Sequence, residues 1–453
     1  MRIVVVGNGV AGMEAALAVR RRDADATITV VSEESDHFFS RTALMYVLCG
    51  QLSHRCIEPL ERGVYERLRL TRVRARATGL DPEARLLTLA DGRTLAYDRL
   101  LIACGSRPRP APWPGSGLRG VGHFVTLQDL AWLEAELHGQ QSEPRPPNEW
   151  AHLSVSAADS PYGRREVAAE ARGRTCGSPL VIGGGLIGIE AVETFLAAGR
   201  SPHFVIREDR FWPNPISAAE SAWVAEALRG HGALVHLDTH VESMVGDGRG
   251  NVDRVVTDKG PLDVDCVVVA IGVVPNTEWL GEAVERDQSG GIVVGDDLQT
   301  SAPGVYAAGD CASVRWFDGQ RRPEQLWYTG RDQGRVAAQA LLGDDVRYRR
   351  STWYNSAKLM DIEYTTAGLV GFDLPGESEW FYEETGAVKS TTRIVSRDGA
   401  VIGFNFLGRR WDHEVLIRWI NERRSLAWVL DHLGAARFDT ELVPPLVIPA
   451  AAR

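Results

Sequence analysis

Cysteine is scarce and scattered in this sequence. Its six cysteines in 453 residues, Cys49, Cys56, Cys104, Cys176, Cys266 and Cys311, form no C-x-x-C and no close pair. That excludes a disulfide scaffold and argues against a zinc site or a thioredoxin-like motif. Scattered single cysteines suit a reducing compartment. No apolar run is long enough to span a bilayer, and no charged leader followed by an apolar core opens the chain. A cytoplasmic protein without a transmembrane segment is expected. Positive charge is not in excess either: the net charge is −10. An acidic total argues against a nucleic-acid partner and leaves small substrates open.

What is present is ordinary for a folded protein, with 44% hydrophobic and 24% charged residues. The length suits two or three domains. Strand-like apolar runs alternate with helix-like segments, the pattern of α/β layers with parallel sheets. RIVVVGNGVAGMEAALAVRRR followed by ITVVSEE forms one such unit. PLVIGGGLIGIEAVETFLAAG followed by HFVIRED forms a second. Two copies of strand, glycine turn, helix and strand predict two nucleotide-binding folds. Residues 139–178 between them, rich in Pro, Ser, Ala and Arg, read as an insertion or linker. Residues 345–453 read as a third domain of strands (TTRIVS, AVIGFNFLG) followed by helices (HEVLIRWINERR, SLAWVLDHL).

In GNGVAG, Gly7 permits a tight turn, Gly9 lets backbone approach a pyrophosphate, and Gly12 allows close helix–strand packing. Glu33 closes the following strand, about twenty residues on, where an acid hydrogen-bonds a ribose 2′-hydroxyl. Three later motifs follow in order. YDRLLIACGSRP ends a strand in a small-residue turn holding Ala103 and Gly105. VVVAIGVVPN repeats that shape around Gly272. TSAPGVYAAGDCA places Asp310 after Gly309.

With these motifs in order, the chain resembles the FAD-dependent pyridine-nucleotide oxidoreductases. It is most similar to the branch of ferredoxin, rubredoxin and nitrite reductases and apoptosis-inducing-factor-like flavoproteins. The resemblance implies two Rossmann-like, three-layer ββα domains plus a C-terminal α+β interface domain. It divides the chain into an FAD-binding domain in two parts, residues 1–138 and 270–344, an NAD(P)H-binding domain, 179–269, and the interface domain. It implies that Gly7, Gly9, Ala11, Gly12 and Glu33 hold the ADP half of FAD and that Ala77 offers backbone to adenine. Gly309 and Asp310 would hold the ribitol and pyrophosphate, with Ala103, Gly105 and Gly272 in the flanking turns. Gln325, Leu326 and Trp327 would border the flavin ring, at the start of a helix whose dipole favours negative charge.

VIGGGLIGIE, with Gly183, Gly185 and Gly188, marks the second dinucleotide site, for NADPH or NADH. Glu190 matches a family glutamate near the nicotinamide. Coenzyme choice turns on HFVIREDRF: Arg207 and Arg210 suit a 2′-phosphate, whereas Glu208, turned inward, suits a ribose hydroxyl.

FFSRTALMYVLCG (Phe38–Gly50) decides between thiol and direct flavin chemistry. It has neither the C-x-x-x-x-C pair nor the single flavin-proximal cysteine of thiol-dependent members. Arg41 stands where ferredoxin-reductase-like members carry the arginine of N-R-P-x-L-S-K, which implies pairing with the FAD pyrophosphate. The lysine of that motif has no counterpart. Tyr46 falls nearest and joins Glu190 as the catalytic candidate. Cys49 is read as structural, and Trp411, Trp419 and Trp428 as core rather than a membrane belt. No metal site is expected.

The expected activity is hydride transfer from NAD(P)H to FAD and onward electron transfer, with a small iron–sulfur protein such as ferredoxin or rubredoxin as acceptor. The alternatives are an oxidase, quinone or disulfide reductase, and a redox sensor whose association NAD(P)H controls. Either a monomer or a homodimer is compatible.

Overall fold

The computed structural model describes residues 1–138, 176–213, 215–317, 319–371, 373–385, 388–438, 441 and 443–449. Most of the insertion expected at 139–178 lies outside them. The described residues fall into two compact units. The first takes in those of Met1–Pro110, Gly122–Cys176 and Gly272–Arg350, and the second those of Ala111–Val121, Gly177–Ile271 and Ser351–Arg453.

The first unit is built on a parallel sheet in the order Val305–Ala307, Arg99–Ile102, Arg2–Val6, Thr27–Ser32, Leu70–Arg74. Central strands of a parallel sheet are covered on both faces, so they are continuously apolar rather than alternating. RIVVV obeys this: Ile3, Val4, Val5 and Val6 are all buried. Each such side chain contributes roughly 1.5–3 kcal/mol by leaving water.

The helix Val10–Arg22 leaves the first strand and buries a face of small residues, Ala11, Gly12, Ala15 and Ala16. Arg20, Arg21 and Arg22 crowd its last turn, where the helix dipole favours cations. Arg20 hydrogen-bonds the carbonyls of Asp23, Ala24, Ala26 and Leu68, satisfying the chain as it turns back to the sheet. A second helix, Trp327–Leu341, packs along the first. The two backbones touch, because a Cβ at Gly334 would fall 2.4 Å from the carbonyl oxygen of Ala11. Antiparallel strands Ala77–Asp81, Leu86–Leu89 and Thr94–Ala96 form a small added sheet.

The second unit repeats the plan. Leu234–His236, His203–Val205, Pro179–Ile182 and Cys266–Val269 lie parallel in that order. The helix Leu186–Ala197 follows the strand Pro179–Ile182. A three-stranded antiparallel sheet, Val241–Gly246, Val252–Thr257 and Gly260–Asp263, is added to it.

This unit also holds the helix Ala218–Gly230 and a five-stranded antiparallel sheet. Its order is Tyr354–Leu359, Ile362–Gly368, Ala400–Leu407, Ser390–Arg397, Glu377–Glu384. Helices His413–Asn421 and Leu426–His432 follow it, capped by the side chains of Asp412 and Ser425. Trp411 and Trp419 are core residues, packed with Phe404 and Phe406, and Trp428 lies edge-on to Trp419. A membrane belt of these three tryptophans is therefore ruled out. No helix among the described residues is long and apolar enough to cross a membrane.

Candidate functional site

The two glycine loops have the same construction. In the first unit Gly7 has φ +117°, and a Cβ there would meet the carbonyl oxygen of Ala103 at 1.9 Å. A Cβ at Gly12 would meet the Gly7 carbonyl oxygen at 2.0 Å. In the second unit Gly183 has φ +116° and would strike the Ala270 carbonyl oxygen at 2.3 Å. Gly188 would strike the Gly183 carbonyl oxygen at 2.0 Å. These four glycines are demanded by the protein's own packing.

Gly9 and Gly185 are different. A Cβ at either would meet nothing within 4 Å. Each is the N-cap of its helix, extended, without a side-chain cap and without an acidic residue in the first turn. The first N–H groups of both helices therefore point, unpaired by any cap, past a residue kept small for no internal reason. That is a cradle for an anion such as a pyrophosphate.

The rest of the first cradle fits the remainder of an FAD. Glu33 ends the strand Thr27–Ser32, and burial pushes its carboxyl up, with Arg76 and Arg74 pulling it back. The Arg74 side chain is held by the Glu33 and Glu34 carbonyls. Gly309 has φ +81°, and its N–H is held by the buried Gln333 side chain at 2.8 Å. Asp310 Oδ2 accepts the Ser106 hydroxyl at 2.7 Å. Burial raises the Asp310 carboxyl, while that hydrogen bond and the charge of Arg41 lower it. Trp327–Leu341 begins after Leu326 with no side-chain cap and no acid in its first turn. Gln325 is exposed, and the Arg331 guanidinium lies over the Trp327 ring, 5.5 Å from its centroid.

Ala77 is buried at the start of its strand, and Ala103 is buried beneath Gly7. Gly105 has φ +67°, and its carbonyl accepts the Asn276 N–H at 3.0 Å. Gly272 has φ +97°, and its carbonyl accepts the Arg109 N–H at 3.0 Å. Ala11 lies against both Gly309 and Gly334, so it packs the two helices and the Gly309 loop together. A carboxylate for a ribose, an uncapped helix for phosphates and a second carboxylate beside Gly309 form a donor and acceptor set that suits a dinucleotide.

The Phe38–Gly50 segment forms a turn of 3-10 helix, Arg41–Ala43, and a short helix, Leu44–Leu48. Arg41 hydrogen-bonds both Glu34 carboxylate oxygens and the Val125 carbonyl. Glu34 Oε1 also accepts the Leu127 N–H, at 3.0 Å. Tyr46 is 36% exposed, and Cys49 is half-buried at the end of the short helix. Of the candidate pair, Tyr46 belongs to the first unit and Glu190 to the second.

Glu190 lies on the helix Leu186–Ala197, its carboxyl pushed up to about 8 by burial and then by the neighbouring Glu193. Glu193 is itself raised to about 7 by burial, against the charge of Lys358 and the Met360 N–H. Lys358 thus acts on a carboxylate one turn from Glu190. Arg207 is exposed, and its Nη2 donates to Glu208 Oε1 at 2.6 Å. Arg210 Nη2 donates to the Pro213 carbonyl at 3.3 Å.

Two residues escaped the sequence reading. Asn8, inside the first glycine loop, donates to the Ser35 carbonyl at 3.3 Å and accepts from the Tyr65 hydroxyl at 2.9 Å. Gln333 fastens the Gly309 loop. Polar side chains that become buried carry no sequence signal beyond their type, although an Asn between two loop glycines is a hint.

The chain is similar to known proteins over most of its length. The family described as "Pyridine nucleotide-disulphide oxidoreductase" matches residues 1–334. The ferredoxin–NAD(+) reductase component of the p-cumate 2,3-dioxygenase system of Pseudomonas putida is 28% identical and covers 94% of each chain. Rhodocoxin reductase of Rhodococcus erythropolis is 30% identical, covering 82% of this chain and 78% of its own. The structure of a covalent putidaredoxin reductase–putidaredoxin complex superposes with a TM-score of 0.74 at 21% identity, covering 93% of this chain and 92% of that one.

Proposed function

Because the chain belongs to the pyridine nucleotide-disulphide oxidoreductase family and is an FAD-dependent NAD(P)H oxidoreductase, we propose that its acceptor is a small iron–sulfur protein of the ferredoxin or rubredoxin type. One observation carries this choice of acceptor: the end-to-end likeness, 94% of each chain, to a ferredoxin–NAD(+) reductase component. The absence of a C-x-x-x-x-C pair from FFSRTALMYVLCG supports it. The reaction is assigned to the cytoplasm.

FAD, when bound, exchanges the electron pair of a nicotinamide for single electrons that an iron–sulfur centre accepts. The chain's part is to bind and orient. Gly9 and the first N–H groups of Val10–Arg22 would hold the pyrophosphate of FAD. Glu33 would accept the ribose 2′-hydroxyl, and Asp310 the ribitol hydroxyls. The Arg41 guanidinium, whose charge acts on Asp310, would add positive charge for the phosphates. Gly185 and the uncapped helix after it would hold the nicotinamide dinucleotide. Glu190 is a half-buried carboxyl that stays protonated at neutral pH, so it offers a hydrogen-bond donor without adding negative charge.

The test is anaerobic titration with NADPH or NADH, followed by mixing with a ferredoxin or rubredoxin. Full bleaching of the flavin by one equivalent, and reduction of the iron–sulfur protein faster than free flavin achieves, are expected. Failure to reduce any such protein overturns the choice of acceptor. A second reading rests on one neighbourhood: Cys104 and Cys311, which follow Ala103 and Asp310 in the FAD cradle, lie close enough to shift each other's ionisation. Uptake of two equivalents, with a thiolate-to-flavin band midway, would favour a thiol-dependent reductase built on that pair.

A further inference from the structure

The hydrogen-bond ladders fix which residue of the second unit stands where Glu33 stands in the first. In the first unit Val6 pairs with Val31, and the Gly7 N–H donates to the Val31 carbonyl at 2.8 Å. In the second, Ile182 pairs with Val205, and the Gly183 N–H donates to the Val205 carbonyl at 2.9 Å. The two loops share their φ angles and their glycine contacts. Two residues beyond the anchoring carbonyl lies Glu33 in one unit and Arg207 in the other. Counting along the chain misleads here. Glu33 comes 21 residues after Gly12, and the same count from Gly188 ends on Asp209, an acid. The ladder, not the count, sets position in space.

The residue at this strand end meets the 2′ substituent of the adenosine ribose. A carboxylate there accepts the hydroxyl proton of NADH. A guanidinium has no acceptor to offer that hydroxyl, but gives charge-assisted hydrogen bonds to a phosphate. Arg207 has an exposed side chain, and Glu208 holds it through one N–H at 2.6 Å, leaving donors for a ligand. Arg210 follows on the same segment, with a buried Nε that has no partner among the described residues.

We propose that this chain is selective for NADPH, recognising the 2′-phosphate through Arg207 with Arg210 as the second cation. The inference rests on the reading that the second unit binds the nicotinamide coenzyme. The test separates the two. Calorimetry on the full chain compares 2′,5′-ADP with 5′-AMP, for the wild type and for Arg207→Glu and Arg210→Ala. Anaerobic flavin reduction then compares NADPH with NADH.

One charge-assisted contact to phosphate corresponds to about tenfold in affinity. Wild type is expected to bind 2′,5′-ADP at least about tenfold tighter than 5′-AMP, and to be reduced preferentially by NADPH. Arg207→Glu should erase or invert both preferences, and Arg210→Ala should diminish them. Equal binding of the two nucleotides, preference for NADH, or an unchanged ratio in Arg207→Glu overturns the proposal. If 2′,5′-ADP binds through Arg207 and yet neither coenzyme reduces the flavin, the reductase reading fails while this one stands.

Discussion

Tyr65 ties the first glycine loop to the segment that follows the second strand. Its hydroxyl donates to Asn8 Oδ1 at 2.9 Å and accepts the Phe38 N–H at 2.8 Å. Tyr65 itself is fully buried and carries the Arg72 guanidinium over its ring. Tyr65→Phe leaves a buried amide oxygen and a buried N–H without their partner, at a cost of about 1–3 kcal/mol. The expected result is a lower denaturation midpoint for the FAD-free protein, and a larger fall in FAD retention than in secondary structure.

The glycines of one loop should separate by role. Gly7→Ala and Gly12→Ala put a methyl into backbone at 1.9 and 2.0 Å, so neither is expected to give folded protein. Gly9→Ala meets nothing in the chain and should fold with a circular dichroism spectrum and apo-protein stability like the wild type. Its FAD affinity should fall at least about tenfold, or about 1.4 kcal/mol. Equal FAD affinity in Gly9→Ala and wild type would remove the pyrophosphate from this loop.

Arg41→Ala should weaken FAD binding roughly tenfold at low ionic strength. It removes the positive charge that lowers Asp310 and leaves Glu34 without its cation. Because Arg41 is partly exposed, added salt should shrink the difference between mutant and wild type. Dissociation constants measured by flavin fluorescence across a salt series read this directly.

Glu190 ionises near 4.5 in the unfolded chain and near 8 in the fold. Between those values the unfolded state holds fewer protons, so stability falls as pH rises. One carboxyl contributes at most about 1.4 kcal/mol per pH unit. Glu193, raised to about 7, adds to the trend in the lower part of that window. Glu190→Gln lacks its share of the titration. Relative to wild type it should gain stability from about pH 5 to about pH 8, as urea midpoints across that range would reveal.

The sequence made both glycine turns, the strand-end Glu33 and the Gly309–Asp310 loop readable. Each needs a particular small or acidic residue beside a strand end, and that need survives in the residue pattern. The C-terminal strands and helices were readable from their apolar periodicity. Arg207 was readable as the end of the second unit's strand, but a count from the glycine loop could not find it, because Val205 lies 17 residues after Gly188 whereas Val31 lies 19 after Gly12. A count of residues cannot register a change in path that ladder hydrogen bonds absorb. The Asn8–Tyr65 bond and the hold of Gln333 on Gly309 were hidden for another reason. They join residues 57 and 24 apart, and nothing local requires either partner.

The division of labour among the loop glycines separates heredity of shape from freedom of choice. Gly7, Gly12, Gly183 and Gly188 are fixed by contacts the chain makes with itself, so drift at them is lethal to the fold. Gly9, Gly185 and Arg207 are not fixed by the chain's own packing, and mutation there leaves the scaffold untouched. Descendants of such a chain can therefore trade one coenzyme for another through a few surface codons, while the architecture that presents the coenzyme is passed on unaltered.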